Sequence, residues 1–235
     1  MPRSHAGRAA ALLTAVALVA APAAAAAQSP AASAAAPDRA AIARARADSA
    51  RIPWVAADAR FMTGMIGHHA QAIEMARLAP THGASPAVRT LAARIINAQR
   101  DEIATMQQWL RDREQPVPEP AALRDSAAAA ESHDAHAGHG DPHAGHAAMP
   151  GMLTPAQMQA LAAARGEEFD RQFLTLMIQH HKGAVAMVET LFATDGAAQN
   201  ETVFKLASDV NVDQITEIAR MQDMLAALMF GTTAP

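Results

Sequence analysis

The chain has 235 residues, a formal net charge of -4, no Cys and no Tyr, but 13 Met and 11 His. The missing Cys excludes disulfides, thiolate zinc sites, iron–sulfur clusters and a lipidated Cys after an export signal. The acidic balance argues against non-specific nucleic-acid binding.

Arg3, His5 and Arg8 make a positive start, and an Ala/Leu/Val run follows from Ala9 to Ala21. Pro22 breaks that run, and Ala25-Ala26-Ala27 offers a small-residue cleavage site before Gln28. This order reads as a secretory signal peptide over residues 1–27. The run is too short and too Ala-rich for a spanning helix, which needs roughly 20 strongly apolar residues. The expectation is an exported, periplasmic protein with no membrane span after cleavage. Residues 28–52 read as an Ala/Pro-rich spacer with a short helix over 39–51.

From Pro53 onward Ala, Leu, Met, Glu and Gln dominate and period-2 alternation is scarce, so the domain is expected to be all-α. Residues 53–114 form a first helical hairpin. Its first helix runs from about Val55 to Ala79 and is ended by Pro80 and Gly83. Ser85-Pro86, an N-cap followed by a first-turn proline, opens a second helix that reaches about Arg113. Residues 115–152 are too long for an ordinary loop. They carry His133, His136, His139, His143 and His146, with Met149 and Met152 at the end. A stretch so poor in core-forming residues reads as disordered without metal. Residues 153–230 form the second hairpin, opened by the capping-box pattern Thr154-Pro155-Ala156-Gln157. A helix or bent helix pair runs from there to about Phe192. Asp195-Gly196 turns the chain, and a last helix spans about Gln199 to Met229.

The two hairpins are copies. Residues 58–75 read DARFMTGMIGHHAQAIEM and residues 170–187 read DRQFLTLMIQHHKGAVAM, identical at nine of eighteen positions, Asp58/Asp170 among them. Gln99, Glu102, Ile103, Met106 and Leu110 likewise parallel Gln214, Glu217, Ile218, Met221 and Leu225. Two up–down hairpins, each with an apolar stripe to bury, predict a four-helix bundle.

At 100° per residue Phe61, Met65, His68, Ala72 and Met75 share a stripe about 80° wide that must face the core. His69 sits toward one edge. Met177, His180, His181 and Met187 repeat the arrangement, and Met106 and Met221 join the candidate ligands from the following helices. A buried imidazole needs partners for its nitrogens. Gln99, Glu102, Gln214 and Glu217 could supply them, which is the structural alternative to metal ligation. Thioether sulfur suits Cu(I), and imidazole suits copper in either state. Copper is therefore the expected ion: Cu(I) in the bundle, and Cu(II), Ni(II) or Zn(II) scavenged by the His-rich connection. Trp54 and Trp109 read as packing residues.

The motif Phe61 to Ala76, its second copy Phe173 to Met187, and the run from Gly151 to Met158 resemble the CopM-like bacterial family (domain of unknown function, family 305). The resemblance covers about residues 55–229. It implies a ferritin-like four-helix bundle and an exported copper-binding protein linked to copper resistance. An envelope copper exporter or chaperone is then a candidate partner, and no enzyme activity is expected. A di-iron oxidase would need Glu-x-x-His ligands, and no Glu stands three residues before a bundle His. The remaining alternative is an envelope interaction or stress protein whose His pairs are structural.

Overall fold

A computed structural model describes residues 39–51, 53–123 and 149–231. The expected signal peptide, the expected spacer before residue 39, and His133, His136, His139, His143 and His146 lie outside the described residues. Six helices follow in order: α1 (Arg39–Arg51), α2 (Ala56–Arg77), α3 (Pro86–Arg111), α4 (Pro155–Ala163), α5 (Gly166–Phe192) and α6 (Glu201–Phe230). No strand occurs among the described residues. None of their helices is long and apolar enough to cross a membrane.

Local chemistry sets the boundaries. Ser85 accepts the Val88 amide as the N-cap of α3, with Pro86 in the first turn. Thr154 and Gln157 close a reciprocal capping box on α4. Asn200 caps α6 and also accepts the Trp109 indole N–H at 3.3 Å. The helix before Phe192 is interrupted: Ala164 and Arg165 are extended, and Gly166 has φ +57. That left-handed conformation is cheap for Gly, and it separates α4 from α5.

The hairpins α2–α3 and α5–α6 pack against each other along α2 and α5. Two buried carboxylates fasten one hairpin to the other. Asp58 on α2 accepts the Ala198 amide, in the turn before α6, at 2.7 Å. Asp170 on α5 accepts the Ser85 amide, in the turn before α3, at 3.1 Å. Each charge thus satisfies a backbone donor at the turn of the opposite repeat. Trp54 packs edge-on against Trp109 at 5.7 Å, and the Arg113 guanidinium covers the Trp109 ring.

The stretch expected to connect the hairpins, 115–152, packs on the bundle at both ends. At the start, Ala122 is buried in a 3-10 turn over Ala121–Leu123 that sits on α2, and Pro118 accepts a bond from Gln107. At the end, residues 149–153 lie across the α2–α5 seam. Val117, Ala122 and Leu123 pack on one apolar cluster of the core and Leu153 is buried in a second, while carbonyl acceptors and close backbone approach fix the rest.

Candidate metal centre

The core consists of two apolar clusters. One gathers Met62, Met65 and Ile73 of α2, Met106 and Trp109 of α3, and Val203 and Val210 of α6. The other gathers Met75 of α2, Leu91 and Ile95 of α3, Phe169, Phe173 and Met177 of α5, and Met221 of α6. Neither contains His68, His69, His180, His181, Gln99 or Gln214, yet all six are buried, the four histidines completely. These polar side chains form a layer at mid-bundle. Its placement follows from the repeat: α2 and α5 are antiparallel, and each presents its His pair at the centre of its length.

Within the layer the His68 and His180 rings lie 3.9 Å apart, tilted by 41°. His69 Nε2 donates to Glu102 Oε2 at 2.6 Å, and His181 Nε2 donates to Glu217 Oε2 at 2.8 Å. His68 Nε2 lies 3.0 Å from the Pro150 carbonyl. A carbonyl can only accept, so this nitrogen carries the hydrogen. The other ring nitrogen, Nδ1, is buried without a hydrogen-bond partner in His68, His69 and His181. Both nitrogens of His180 are in that condition, as are both amide atoms of Gln99 and Oε1 of Gln214.

Burial dominates the electrostatics. Loss of solvation, reinforced by neighbouring His69 and opposed by the Pro150 carbonyl, pushes the His68 pKa from 6.5 down to about 3. His180 is also driven well below its ordinary value, first by burial and then by His68, His181 and His69, with the nearby His68 backbone opposing. Both rings are therefore neutral at pH 7, the state in which imidazole ligates metal.

On the outer side of the Glu102–His69 pair, α3 and α6 frame an open cavity of about 560 Å³ lined by Asp101, Glu102, Glu201, Lys205, Asp209 and Asp213. Desolvation and the nearby Glu102, Glu217 and Asp209 raise the Asp213 pKa. The cleft thus carries a concentrated negative field that attracts cations. Glu102 belongs to both environments, since it lines the cleft and holds His69.

The structure places the other predicted residues as follows. Met65 and Met106 sit in the first cluster, and Met75, Met177 and Met221 in the second, all fully buried. Met65 and Met177 each stand one turn before the His pair of their own helix. Met187, expected on the inward stripe, is only partly buried. Its side chain packs on the first cluster, reaches to 3.4 Å from the position a Cβ on Gly64 would occupy, and lines a groove. Among the described residues no three His, Asp or Glu side chains are grouped to hold an ion. The layer offers paired nitrogens, with sulfurs on either side.

Sequence reasoning named Glu102 and Glu217 only as structural partners, and it missed the roles of Asp58, Asp170, Gln71, Gly183 and Pro150. The repeated Asp was a usable signal, because an identical carboxylate near the start of both copies suggests a capping task. Nothing local marks the Pro150 carbonyl.

A helical-hairpin bundle with a sealed layer of imidazoles, flanked by thioether clusters, is the class that fold and site define. The family described as a domain of unknown function, DUF305, matches residues 58–225, and the chain belongs to that family. Its fold is similar to a DUF305 fragment from Deinococcus radiodurans, with 31% identity, a TM-score of 0.58 and coverage of 74% of this chain and 98% of that one. It is also similar to CopM in its Cu(II)-bound form (30% identity, TM-score 0.51, 72% and 95% coverage). The Cu(I)-bound form of CopM gives 28% identity, a TM-score of 0.50, and 73% and 96% coverage. Among curated proteins, none matches the chain.

Proposed function

We propose that this is an exported, periplasmic copper-binding protein, without enzymatic activity, that holds Cu(I) through the buried His and Met side chains. The observation that carries the reading is the set of orphaned imidazole nitrogens. His82 supplies an internal control. It is also buried, but both its nitrogens are engaged, Nδ1 with Thr81 at 2.9 Å and Nε2 with the Ala162 carbonyl at 2.9 Å. That is how a purely structural histidine looks. A buried polar atom without a partner costs about 1–3 kcal/mol, and the layer carries several side by side. A bound ion would satisfy them.

The Glu partners fit the same reading. A metal-ligating His commonly donates its other ring N–H to a carboxylate or carbonyl, which fixes the tautomer and turns the second nitrogen toward the ion. Glu102, Glu217 and the Pro150 carbonyl hold Nε2, leaving Nδ1 as the donor in His69, His181 and His68. Met65, Met106, Met177 and Met221 supply soft sulfur on either side, which favours Cu(I) over hard cations. The likeness to CopM, solved with Cu(I) and with Cu(II), supports the choice of metal. Export rests on the N-terminal signal pattern. It is also supported by a Streptomyces coelicolor protein of this family, provisionally described as secreted. Copper tolerance or trafficking is the cellular role, with an envelope exporter or chaperone as the partner that receives the ion.

The test is anaerobic Cu(I) titration of the mature protein followed by X-ray absorption. Mixed nitrogen and sulfur ligation is the expected result, and a protein that takes up no Cu(I) overturns the reading. Deleting residues 132–146 separates the two regions. It should lower Cu(II) capacity at about pH 7.5, where free imidazole is unprotonated, and leave Cu(I) binding largely intact. Loss of all copper on deletion would make the bundle's His pairs structural.

A further inference from the structure

The turn that follows the His-rich connection is pinned to the bundle residue by residue. The Pro150 carbonyl accepts from His68. Gly151, with φ +76, lies so close to α5 that a Cβ on it would stand 2.6 Å from the Gly183 Cα, and a Cβ on Gly183 would stand 2.0 Å from the Pro150 oxygen. Gln71 grips Leu153 at both ends, accepting its amide at 2.7 Å and donating to its carbonyl at 3.1 Å. Met149, at the head of this turn, is therefore held on a rigid backbone.

Its side chain projects over Gly64. The Met149 Sδ lies 3.3 Å, and the Met187 Cε 3.4 Å, from the point where a Cβ on Gly64 would be. The two thioether side chains thus border the same bare spot on α2. They line an open groove of about 380 Å³ with Phe61, Thr190 and Leu191. In the second repeat the position equivalent to Gly64 is Leu176, so the vacancy belongs to one face of the molecule alone. Neither sulfur is sealed in the core, unlike Met65 and Met177.

We propose that Met149 and Met187 form a second soft-metal site, on the α2–α5 seam and distinct from the buried layer. The inference rests on the copper-binding reading for the identity of the ion, and on this groove for its place. Two neutral sulfurs suit Cu(I) or Ag(I) and offer little to Zn(II), Mg(II) or Ca(II). Fixing one donor on an anchored turn lowers the ordering cost of binding. The open side leaves room for a third donor that arrives with the ion, which suits a station where metal is loaded or released. Residue 150 links the site to the layer, because the carbonyl next to Met149 holds the His68 ring.

Ag(I) titration of the full mature chain carrying methyl-labelled Met, read by NMR at about pH 6 to weaken binding by exposed imidazoles, tests the site. The Met149 and Met187 methyl signals should shift together. Met149→Leu and Met187→Leu should each remove one bound ion while leaving the Met65 and Met177 responses unchanged. Retention of full stoichiometry in both variants, or silence of both methyls at saturation, overturns the proposal. The outcomes separate the two readings. Response of Met65, Met177 and the layer nitrogens with Met149 and Met187 silent removes this site and keeps the buried one. Response of Met149 and Met187 alone keeps this site and removes the buried one.

Discussion

Gln71 and Gly183 occupy the same place in the two repeats, three residues after His68 and His180, and they do opposite things. Gln71 reaches out and binds Leu153 through both ends of its amide. Gly183 withdraws and lets the Pro150 carbonyl approach where a side chain would stand. Between them the 149–153 turn is seated across the seam, so that one His pair gains a carbonyl partner and the other gains none. His68 donates to Pro150, whereas neither His180 nitrogen has a hydrogen-bond partner. The lesson is that duplication fixes where the imidazoles sit, while a few unmatched residues decide which of their nitrogens are free.

Among the substitutions, breaking the close approach should have the largest effect. Gly183→Ala puts a methyl against backbone atoms of Pro150 and Gly151, which have little room to yield. Overpacking of this kind costs about 3 kcal/mol or expels the turn. Urea denaturation together with the His68 imidazole NMR signals will show either result, and unchanged stability with an intact His68–Pro150 bond would contradict the packing argument.

Acidification should come next when counted per pH unit. Unfolded His68 and His180 take up protons below their ordinary 6.5, but the folded rings remain neutral, His68 down to about 3. The folded state therefore binds fewer protons in that window, and apo stability falls as pH drops from 6.5 toward 3. The slope reaches at most about 1.4 kcal/mol per pH unit for each ring. Denaturation curves of the apo protein at successive pH values measure it directly. Apo stability that rose on acidification across that window would refute the assignment of neutral buried rings.

Gln71→Ala should cost about 1–3 kcal/mol by removing two part-buried hydrogen bonds. The matching Gly183 has no side-chain bond to lose, so the two positions fail for different reasons. The smallest effect on folding is expected for Met65→Leu with Met177→Leu, below about 1.5 kcal/mol because volume and apolarity are conserved. Cu(I) affinity should nevertheless drop clearly in a competition assay. Unaltered affinity would return both sulfurs to a filling role.

The difference between these sites also explains what could be read from the chain. The His pairs, their inward stripe and the two hairpins were legible because 3.6-residue periodicity and an internal copy are local signals. Ser85-Pro86 and Thr154-Pro155 marked their helix starts for the same reason. Gly64, Gln71 and Gly183 looked like ordinary differences between copies. Their meaning depends on a turn 82 residues away from Gln71 in the chain, held largely through backbone atoms whose position no side-chain pattern encodes. Met187 packs on the first cluster but is less buried than its counterpart Met75. The stripe was right about direction, but the bare Gly64 opposite it opens the groove.

The exchanged carboxylates have a consequence of their own. Asp58 completes a turn in the second hairpin and Asp170 completes a turn in the first, so the contact is made twice, in reciprocal directions. Such a contact is isologous: each half carries both the plug and the socket. An isolated hairpin would keep a buried-type carboxylate and a bare turn amide, the two items that a second copy of itself could match. The geometry of this single chain is thus that of a two-fold dimer of hairpins whose subunits have been joined. Neither of the two reciprocal bonds runs through the segment that joins the halves.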